Sequence, residues 1–457
     1  MDMLSENQIN RATKFIKNRR KRATRVCVID ANPNWLDEWE KNFKALDITF
    51  LRSPAVAHSC FFDRNALLAF AISEGRENEL LDSGCSEIKS LKGTSMPHNG
   101  SWKLPSTKLF LDFSRQYASS LRHDYLEGRV IDIKKTGKNS FFQVGVQNIS
   151  TNDTTILSSK SVILATGAIG RTVIPKFLKD VSSPRIFKWQ ELDRVIPTLT
   201  KDLNFPSPKI LVVGGGLTAV QTAHKLVQKG AKVVLCSRRL LVERHFDISV
   251  KWFDFREAQY HQSQFYHEPA ENRLEALAVT RGGGTVPPIY MKTTRRLEKR
   301  GQLIRSIAEA HIIQKNDDES LLVRLSKQNG DKTCFEQSFD AIVLACGVKP
   351  DCLVSPLVQC IQKQWPVEIV GGLPNVGEDL RWTDNLYVVG GLASLSVGPD
   401  ANNLMGISRA AETVSKNLDT KQWLRKEDSN VLKNPFDIFL DESDTESESS
   451  SGEEDDD

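Results

Sequence analysis

The stretch Ile210-Leu-Val-Val-Gly214-Gly215-Gly216-Leu-Thr218-Ala219 is followed, one helix-length later, by Val233-Val-Leu-Cys-Ser237-Arg238-Arg239. An apolar run, a glycine turn, a helix over Leu217 to Gln228 and a second apolar run make a complete dinucleotide-binding unit. Each residue type in it has a task. Gly214 permits the tight turn, Gly216 lets backbone approach phosphate oxygens, and Ala219 lets helix and strand pack closely. Thr218 lies in the first helical turn, whose N-terminus points at the phosphates. The other reading is a structural unit of the same shape that has lost its ligand.

Arg238 and Arg239 bear on which dinucleotide is meant. NAD-selective sites commonly place a carboxylate at the end of the second strand, against the ribose hydroxyls. Two guanidiniums stand there instead and suit a 2′-phosphate, hence NADPH rather than NADH. As solvated surface charges they would carry no such preference.

Outward from this unit, the 457 residues are enough for at least two sizeable cores, and 40% apolar content with 27 glycines fits a globular body. No apolar run approaches the roughly 20 residues that cross a membrane, and the basic, polar segment Asn7 to Arg25 is no signal peptide. Eight scattered cysteines without a C-x-x-C pair imply a reducing, cytoplasmic setting, with a nuclear one left open. Ten acidic residues from Asp441 to Asp457 reduce the formal charge to +3 and leave the rest of the chain at +13. That basic body carries no zinc-finger spacing and no aromatic–basic RNA motif, so anionic cofactors account for it better than nucleic acid. The acidic tail is expected to stay disordered. Ser443, Thr445, Ser450 and Ser451 each have an acidic residue three places on, as an acidophilic kinase requires.

The remaining segments have an interrupted order. Residues 5 to 22 read as a helix feeding the strand Arg25-Val-Cys-Val-Ile-Asp30, and Asp30 stands where an adenosine ribose is normally held. The strand and G-x-G-x-x-G turn that ordinarily precede such a helix are not found. The first half-unit is therefore read as starting inside its own helix, in a shortened form or in a genuine short product. Either way the outer sheet is expected to lack its central strand and its pyrophosphate cradle. Val162-Ile-Leu-Ala-Thr-Gly167 and Ala341-Ile-Val-Leu-Ala-Cys-Gly347 each follow a hairpin or meander and are both expected to return the chain to a parallel sheet. They bracket the central unit, which reads as inserted into a discontinuous outer domain. Asn385-Leu-Tyr-Val-Val-Gly390-Gly391 adds a further strand, and a helix is expected from Ile407 to Leu418.

The order of these pieces resembles the FAD/NAD(P)-binding flavoprotein monooxygenases related to the N-hydroxylating and Baeyer–Villiger enzymes. The resemblance rests on Trp35-Leu-Asp-Glu-Trp39, Leu51-Arg52-Ser53-Pro54, Leu109-Phe-Leu-Asp112-Phe113, Ala165-Thr-Gly167, Gly214-Gly-Gly216, Arg281-Gly-Gly-Gly284-Thr-Val-Pro-Pro288 and Gly398-Pro399-Asp-Ala-Asn-Asn403. The chain departs from that family in lacking the first FAD glycine motif, and in Gly391, where many flavoproteins carry an aspartate.

The resemblance implies an α/β fold of two Rossmann-like domains, the NADPH domain inserted in an N-terminally incomplete FAD domain. The expected divisions are 1–204 and 326–425 for the FAD-type parts, 205–325 for the NADPH domain and 426–457 for the tail. It further implies that NADPH reduces FAD and that the reduced flavin forms a C4a-peroxide that oxidises a small organic substrate. Under it, Asp30 contacts ribose, Arg52 holds flavin or a cofactor phosphate beside the catalytic centre, and His58 is the nearest proton donor. Gly167, Gly390, Gly391, Pro399 and Asn403 lie by the flavin. A rigid connection at Leu51–Pro54 and an ordinary polar role for His58 are the plainer readings. His245, His261, His267 and Glu268 lack metal-ligand spacing; their aromatic section, with Trp252, Phe253, Phe255, Phe265 and Tyr266, is expected near the domain junction. Gly282–Gly284 reads as a loop. A flavin reductase without oxygen insertion and a non-catalytic Rossmann-fold binding protein are the competing functions. Paired redox cysteines are absent, because Cys346 and Cys352 lack the close spacing.

Overall fold

In the computed structural model the described residues are 25–60, 63–85, 88, 99–136, 141–178, 181–192, 194–195, 197, 207–316, 319–326 and 334–422. The helix expected over residues 5 to 22 and the acidic tail, with Ser443, Thr445, Ser450 and Ser451, lie outside them. The outer unit opens on β1 (Cys27–Asp30), then α1 (Asp37–Ala45), α2 (Ala66–Ser73) and α3 (Thr107–Ser120). Ser106 starts α3, its Oγ accepting from the Leu109 N–H at 2.9 Å and satisfying one of the unpaired first-turn donors. Next come β2 (Asp124–Glu127), parallel to β1, the antiparallel meander β3 (Arg129–Thr136), β4 (Phe141–Gln147) and β5 (Thr154–Ser159), and β6 (Val162–Leu164).

The central unit repeats that plan in full. Its elements are β7 (Ile186–Lys188), β8 (Lys209–Val213), α4 (Leu217–Gln228), β9 (Lys232–Ser237), α5 (Phe255–His267), α6 (Ala270–Arg281), α7 (Pro288–Lys299) and β10 (Leu303–Ile307). A second meander, β11 (Glu309–Lys315), β12 (Leu321–Ser326) and β13 (Cys334–Phe339), leads to β14 (Ala341–Leu344). Five strands form one parallel sheet in the order β7-β14-β8-β9-β10. Side chains alternate across β8. Ile210 and Val212 pack with Ala219, Ala223 and Leu226 of α4 and Met291 of α7. Leu211 packs on the other face with Val323, Leu325 and Phe339 of the meander. Burial on both faces is why this strand reads as an unbroken apolar run. Leu211 and Val212 are fully buried, and each such side chain contributes about 1.5–3 kcal/mol.

The chain then returns through α8 (Pro356–Gln364), β15 (Arg381–Thr383) and β16 (Leu386–Val388) to α9 (Leu404–Gln422). β16 pairs parallel with β6, Leu386 opposite Val162. One expectation is corrected here. Ala341–Leu344 does not return the chain to the outer sheet; it lies between β7 and β8, with Ile342 opposite Leu211. A short apolar strand after a meander looks the same in either unit, and only its pairing partner tells them apart. We accordingly propose that the inserted unit runs past 325 to Leu344, with Ala345–Gly347 leading back out.

Set side by side, the two units differ at one position. In the central sheet β8 joins β9 to β14. In the outer unit the equivalents of those neighbours, β1 and β6, belong to separate sheets, β1-β2 and β15-β16-β6. Among the described residues no strand bridges them. The exposure of the edges follows. Val26 and Ile163 are 49% and 46% exposed, whereas Val233 and Ile342 in the central sheet are 2% and 0%.

Candidate functional site

The glycine turn joins the C-terminal end of β8 to α4. A Cβ on Gly214 would lie 2.3 Å from the Ala345 carbonyl oxygen and 2.9 Å from the Ala219 Cβ, so β14 and α4 both close on a bare Cα. Gly216 is the N-cap of α4 and supplies no side-chain cap. The first-turn N–H groups, that of Thr218 among them, are thereby left to a ligand, and the helix dipole favours an anion there. A second glycine segment crosses this turn: a Cβ on Gly284 would lie 3.1 Å from the Gly216 Cα. The arrangement fits a dinucleotide pyrophosphate.

The two arginines at the end of β9 part company. Arg238 is exposed. Arg239 turns toward the loop after α6, its Nη2 donating to the Gly282 and Gly283 carbonyl oxygens at 2.5 and 2.9 Å. Gly282 closes α6 in the left-handed conformation, φ 57°, and Gly283 and Gly284 continue at 73° and 102°. The 282–284 segment is therefore the expected loop. The Pro287–Pro288 pair is in fact a helix start, with proline at the first position of α7.

Arg52 and His58 need correction. Arg52 donates from Nε to His245 O at 2.9 Å, from Nη1 to Thr285 O at 3.3 Å, and from Nη2 to Arg244 O at 3.1 Å and Thr285 Oγ1 at 2.6 Å. Burial lowers its pKa to about 10, still charged at neutral pH. All three of its nitrogens donate to protein oxygens, so it ties the N-terminal segment to the central unit rather than holding a phosphate. His58 is 4% exposed and lies edge-on to Phe113. One ring nitrogen, Nδ1, accepts from the Cys60 N–H at 3.1 Å, so the proton sits on Nε2, which donates to Arg64 O at 3.0 Å. Burial holds its pKa below the usual histidine range. This is a neutral, saturated core histidine, which is not the geometry of a proton donor to a substrate. Substituting Arg52→Lys is expected to cost about 2 kcal/mol, as the compact ammonium keeps the charge but cannot span the His245, Thr285 and Arg244 oxygens that the guanidinium fork reaches. The denaturant midpoint should fall while dinucleotide affinity holds; the reverse pattern would restore the phosphate role.

The residues expected beside a flavin converge at the ends of β6 and β16. Gly167, φ 70°, follows β6, and Gly390, φ 66°, follows β16. Gly391 has a steric reason to be glycine. A Cβ there would lie 2.8 Å from Gly167 O and 2.9 Å from both the Ala168 Cα and the Asn402 Oδ1, which leaves no room for an aspartate. Pro399 O accepts from Arg281 Nη2 and Nε at 2.8 and 3.2 Å, and Asn403 Nδ2 donates to Asp247 Oδ1 at 3.5 Å. Asp30 is exposed at the end of β1, its Oδ1 accepting from Asn32. A second glycine turn for the FAD pyrophosphate does not occur among the described residues, so the fit to FAD is incomplete.

Some residues of this region carried no warning in the sequence. Asp400 is fully buried and ion-paired to Arg409, and burial raises its carboxyl pKa above the usual range. Arg281 and Asp247, 3.8 Å apart, link the loop after α6 to the 398–403 segment. The aromatic section is core: Trp252, Phe253 and Phe265 pack with Trp102 and Phe246. A cavity of about 540 Å³ touches Leu217 and Thr218 and is walled by Phe43, Leu46, Gln221, His224 and Tyr290. Burial pushes the thiols of Cys236 up to about 12 and of Cys346 and Cys352 up to about 11, far from redox-active values. Among the described residues no group of three or more His, Cys, Asp or Glu is placed to hold a metal, and no helix is long and apolar enough to cross a membrane.

A dinucleotide unit inserted between two halves of an outer α/β domain is the fold of the two-domain FAD/NADPH flavoprotein monooxygenases. The sequence profile described as pyridine nucleotide-disulphide oxidoreductase matches residues 64–253. Among solved structures the chain is similar to the FAD-bound cadaverine monooxygenase of desferrioxamine biosynthesis from Erwinia amylovora, with a TM-score of 0.64 and 14% identity over 86% of this chain and 88% of that one. It is similar as well to the ornithine N-hydroxylase of Kutzneria sp. 744 with reduced FAD, NADP+ and L-ornithine, at 0.63 and 14% over 86% and 92%. The reduced ornithine hydroxylase from Pseudomonas aeruginosa gives 0.64 and 15% over 89% and 95%. At these identities the likeness is one of fold, and it bears out the resemblance to the flavoprotein monooxygenase-like family at that level. No curated protein sequence matches the chain.

Proposed function

We propose that the chain is an FAD-dependent, NADPH-using oxidoreductase of the monooxygenase type, acting on a small organic molecule. The observation that carries this reading is the complete β8–glycine turn–α4–β9 unit held between the two halves of the outer domain, with Gly167, Gly390 and Gly391 gathered at the facing strand ends. Bound NADPH supplies a hydride. The chain's own part is to seat the pyrophosphate on the first turn of α4, to meet the 2′-phosphate with Arg238 and Arg239, and to exclude water. Three raised thiols speak against dithiol exchange as the chemistry.

A second reading, a non-catalytic nucleotide-binding protein, draws on the split outer sheet and on the lack of a second glycine turn among the described residues. One preparation separates the two. The purified chain is mixed with FAD, freed of unbound flavin, and scanned in the visible absorption band. Stoichiometric flavin bleached anaerobically by NADPH, and more slowly by NADH, is the expected result. A folded chain that keeps no flavin leaves the second reading standing.

A further inference from the structure

Arg239 is read above as a ligand for a 2′-phosphate, yet its guanidinium already has partners. Nη2 donates to the carbonyls of Gly282 and Gly283, and the guanidinium lies over the bare Cα of Gly283, where a Cβ would meet Nη2 at 2.6 Å. The same loop continues to Gly284, which rests on Gly216 in the glycine turn. The segment that occupies Arg239 is thus the segment that covers the phosphate cradle. Its backbone is built to change: three consecutive glycines at φ between 57° and 102° form a joint that no other residue type would leave as free. Firm anchors flank it. On one side is Arg281 on the Pro399 carbonyl, and on the other Arg52 on Thr285.

Resting on the dinucleotide reading of this site, we propose that Arg239 is a latch through which the chain recognises the 2′-phosphate. With no phosphate present, Arg239 holds the 282–284 loop down across the glycine turn. A 2′-phosphorylated dinucleotide offers it charged oxygens in place of two neutral carbonyls, adding ion–ion attraction and a bidentate geometry to hydrogen bonds already charge-assisted on the arginine side. Arg239 moves to the phosphate, the loop loses its clamp, and the cradle over Gly216 opens. A dinucleotide with a plain 2′-hydroxyl offers Arg239 nothing to exchange and must displace the loop unaided. Discrimination then comes in two parts, the direct contact to phosphate and the release of the loop, and Arg238 supplies only the first.

Two probes without a nicotinamide isolate the effect: 2′,5′-ADP, which carries the phosphate, and 5′-AMP, which lacks it. Amide hydrogen exchange over residues 281–286 of the full chain is the readout, with both affinities taken by calorimetry. Saturating 2′,5′-ADP should speed exchange in that segment at least fivefold, and 5′-AMP should leave it unchanged. The Arg239→Ala chain should show the fast exchange without ligand, and its preference for 2′,5′-ADP over 5′-AMP should fall at least tenfold. Arg239→Met keeps the aliphatic stem but has no donor for either carbonyl, and it leaves Arg238 in place. It should free the loop while keeping part of the phosphate affinity, so the test survives if the alanine chain folds poorly. Binding of 2′,5′-ADP with unchanged or slower loop exchange overturns the latch and leaves the dinucleotide site intact. Failure of both probes to bind removes the site itself.

Discussion

A Gly214→Ala chain should be destabilised by about 3 kcal/mol and should lose dinucleotide binding. The cost lies at the upper end for overpacking, because the added carbon has nowhere to go. It would stand 2.3 Å from the Ala345 oxygen, 2.8 Å from the Ala345 carbonyl carbon and 2.9 Å from the Ala219 Cβ. Two of these atoms are backbone of the segment that follows β14, and the third sits in the first turn of α4. Relief requires prising β14 from β8 or tipping α4 outward, and either movement spoils the phosphate cradle. Gly230→Ala makes the control. Gly230 lies beyond the other end of α4, in the connection to β9, at φ 92°, but nothing lies within 4 Å of the position its Cβ would take. Only backbone strain of about 1–2 kcal/mol applies there. Thermal melting of the two chains, with NADPH fluorescence as the binding signal, decides the matter. Equal losses of stability would show that the close approach at Gly214 is not what the turn depends on.

Acid should weaken the fold between pH 6.5 and about 4 through His224. This side chain faces the cavity beside α4 and stacks on Tyr290 at 6.1 Å. The Thr294 hydroxyl donates to Tyr290 O, so it accepts from His224 Nε2–H at 2.9 Å, and the ring is neutral. Burial, with a smaller push from Arg296, lowers its pKa to about 4. Above pH 6.5 the folded and unfolded chains both carry a neutral imidazole, and the group adds no pH dependence. As pH falls below 6.5 the unfolded chain takes up a proton that the folded chain refuses until about pH 4, so stability drops across that window. The full effect is at most about 3 kcal/mol. His58, also buried and held neutral, acts in the same direction. Denaturant midpoints at pH 7 and 4.5 should converge in His224→Gln, which keeps a donor for Thr294 but does not titrate. Parallel losses in both chains would remove His224 as the cause.

How far the residues alone disclose this structure depends on the kind of contact. The β8–α4–β9 unit was readable because Ile210, Leu211 and Val212 are buried on both faces, and double burial writes itself as an apolar run beside a glycine turn. Ala341–Leu344 reads equally as a strand of either sheet, because strand pairing leaves no mark on composition. Arg52 and His58 show a second limit. An arginine in an extended segment and a histidine near it look alike whether they meet a ligand or the backbone oxygens of Arg244, His245 and Arg64. Arg239 is the mixed case, since its place at the end of β9 was visible, whereas its carbonyl partners lie beyond α6. Gly391 in place of an aspartate is visible in the sequence as a departure; only the nearness of Gly167 O gives it a cause.

The interrupted outer unit has a consequence for how the chain reaches this shape. Between β7 and β14 every strand of the central sheet finds its neighbours within one continuous segment. The outer pairing of Leu386 with Val162 must instead close a loop of roughly two hundred residues, a cost in chain entropy that rises only slowly with length but must be met before any contact repays it. Once collapsed, the central unit brings the two ends of that loop together as a compact body. The outer pairing is therefore expected to form late and to open early, and the two glycine-lined strand ends at Gly167 and Gly390 share that fate.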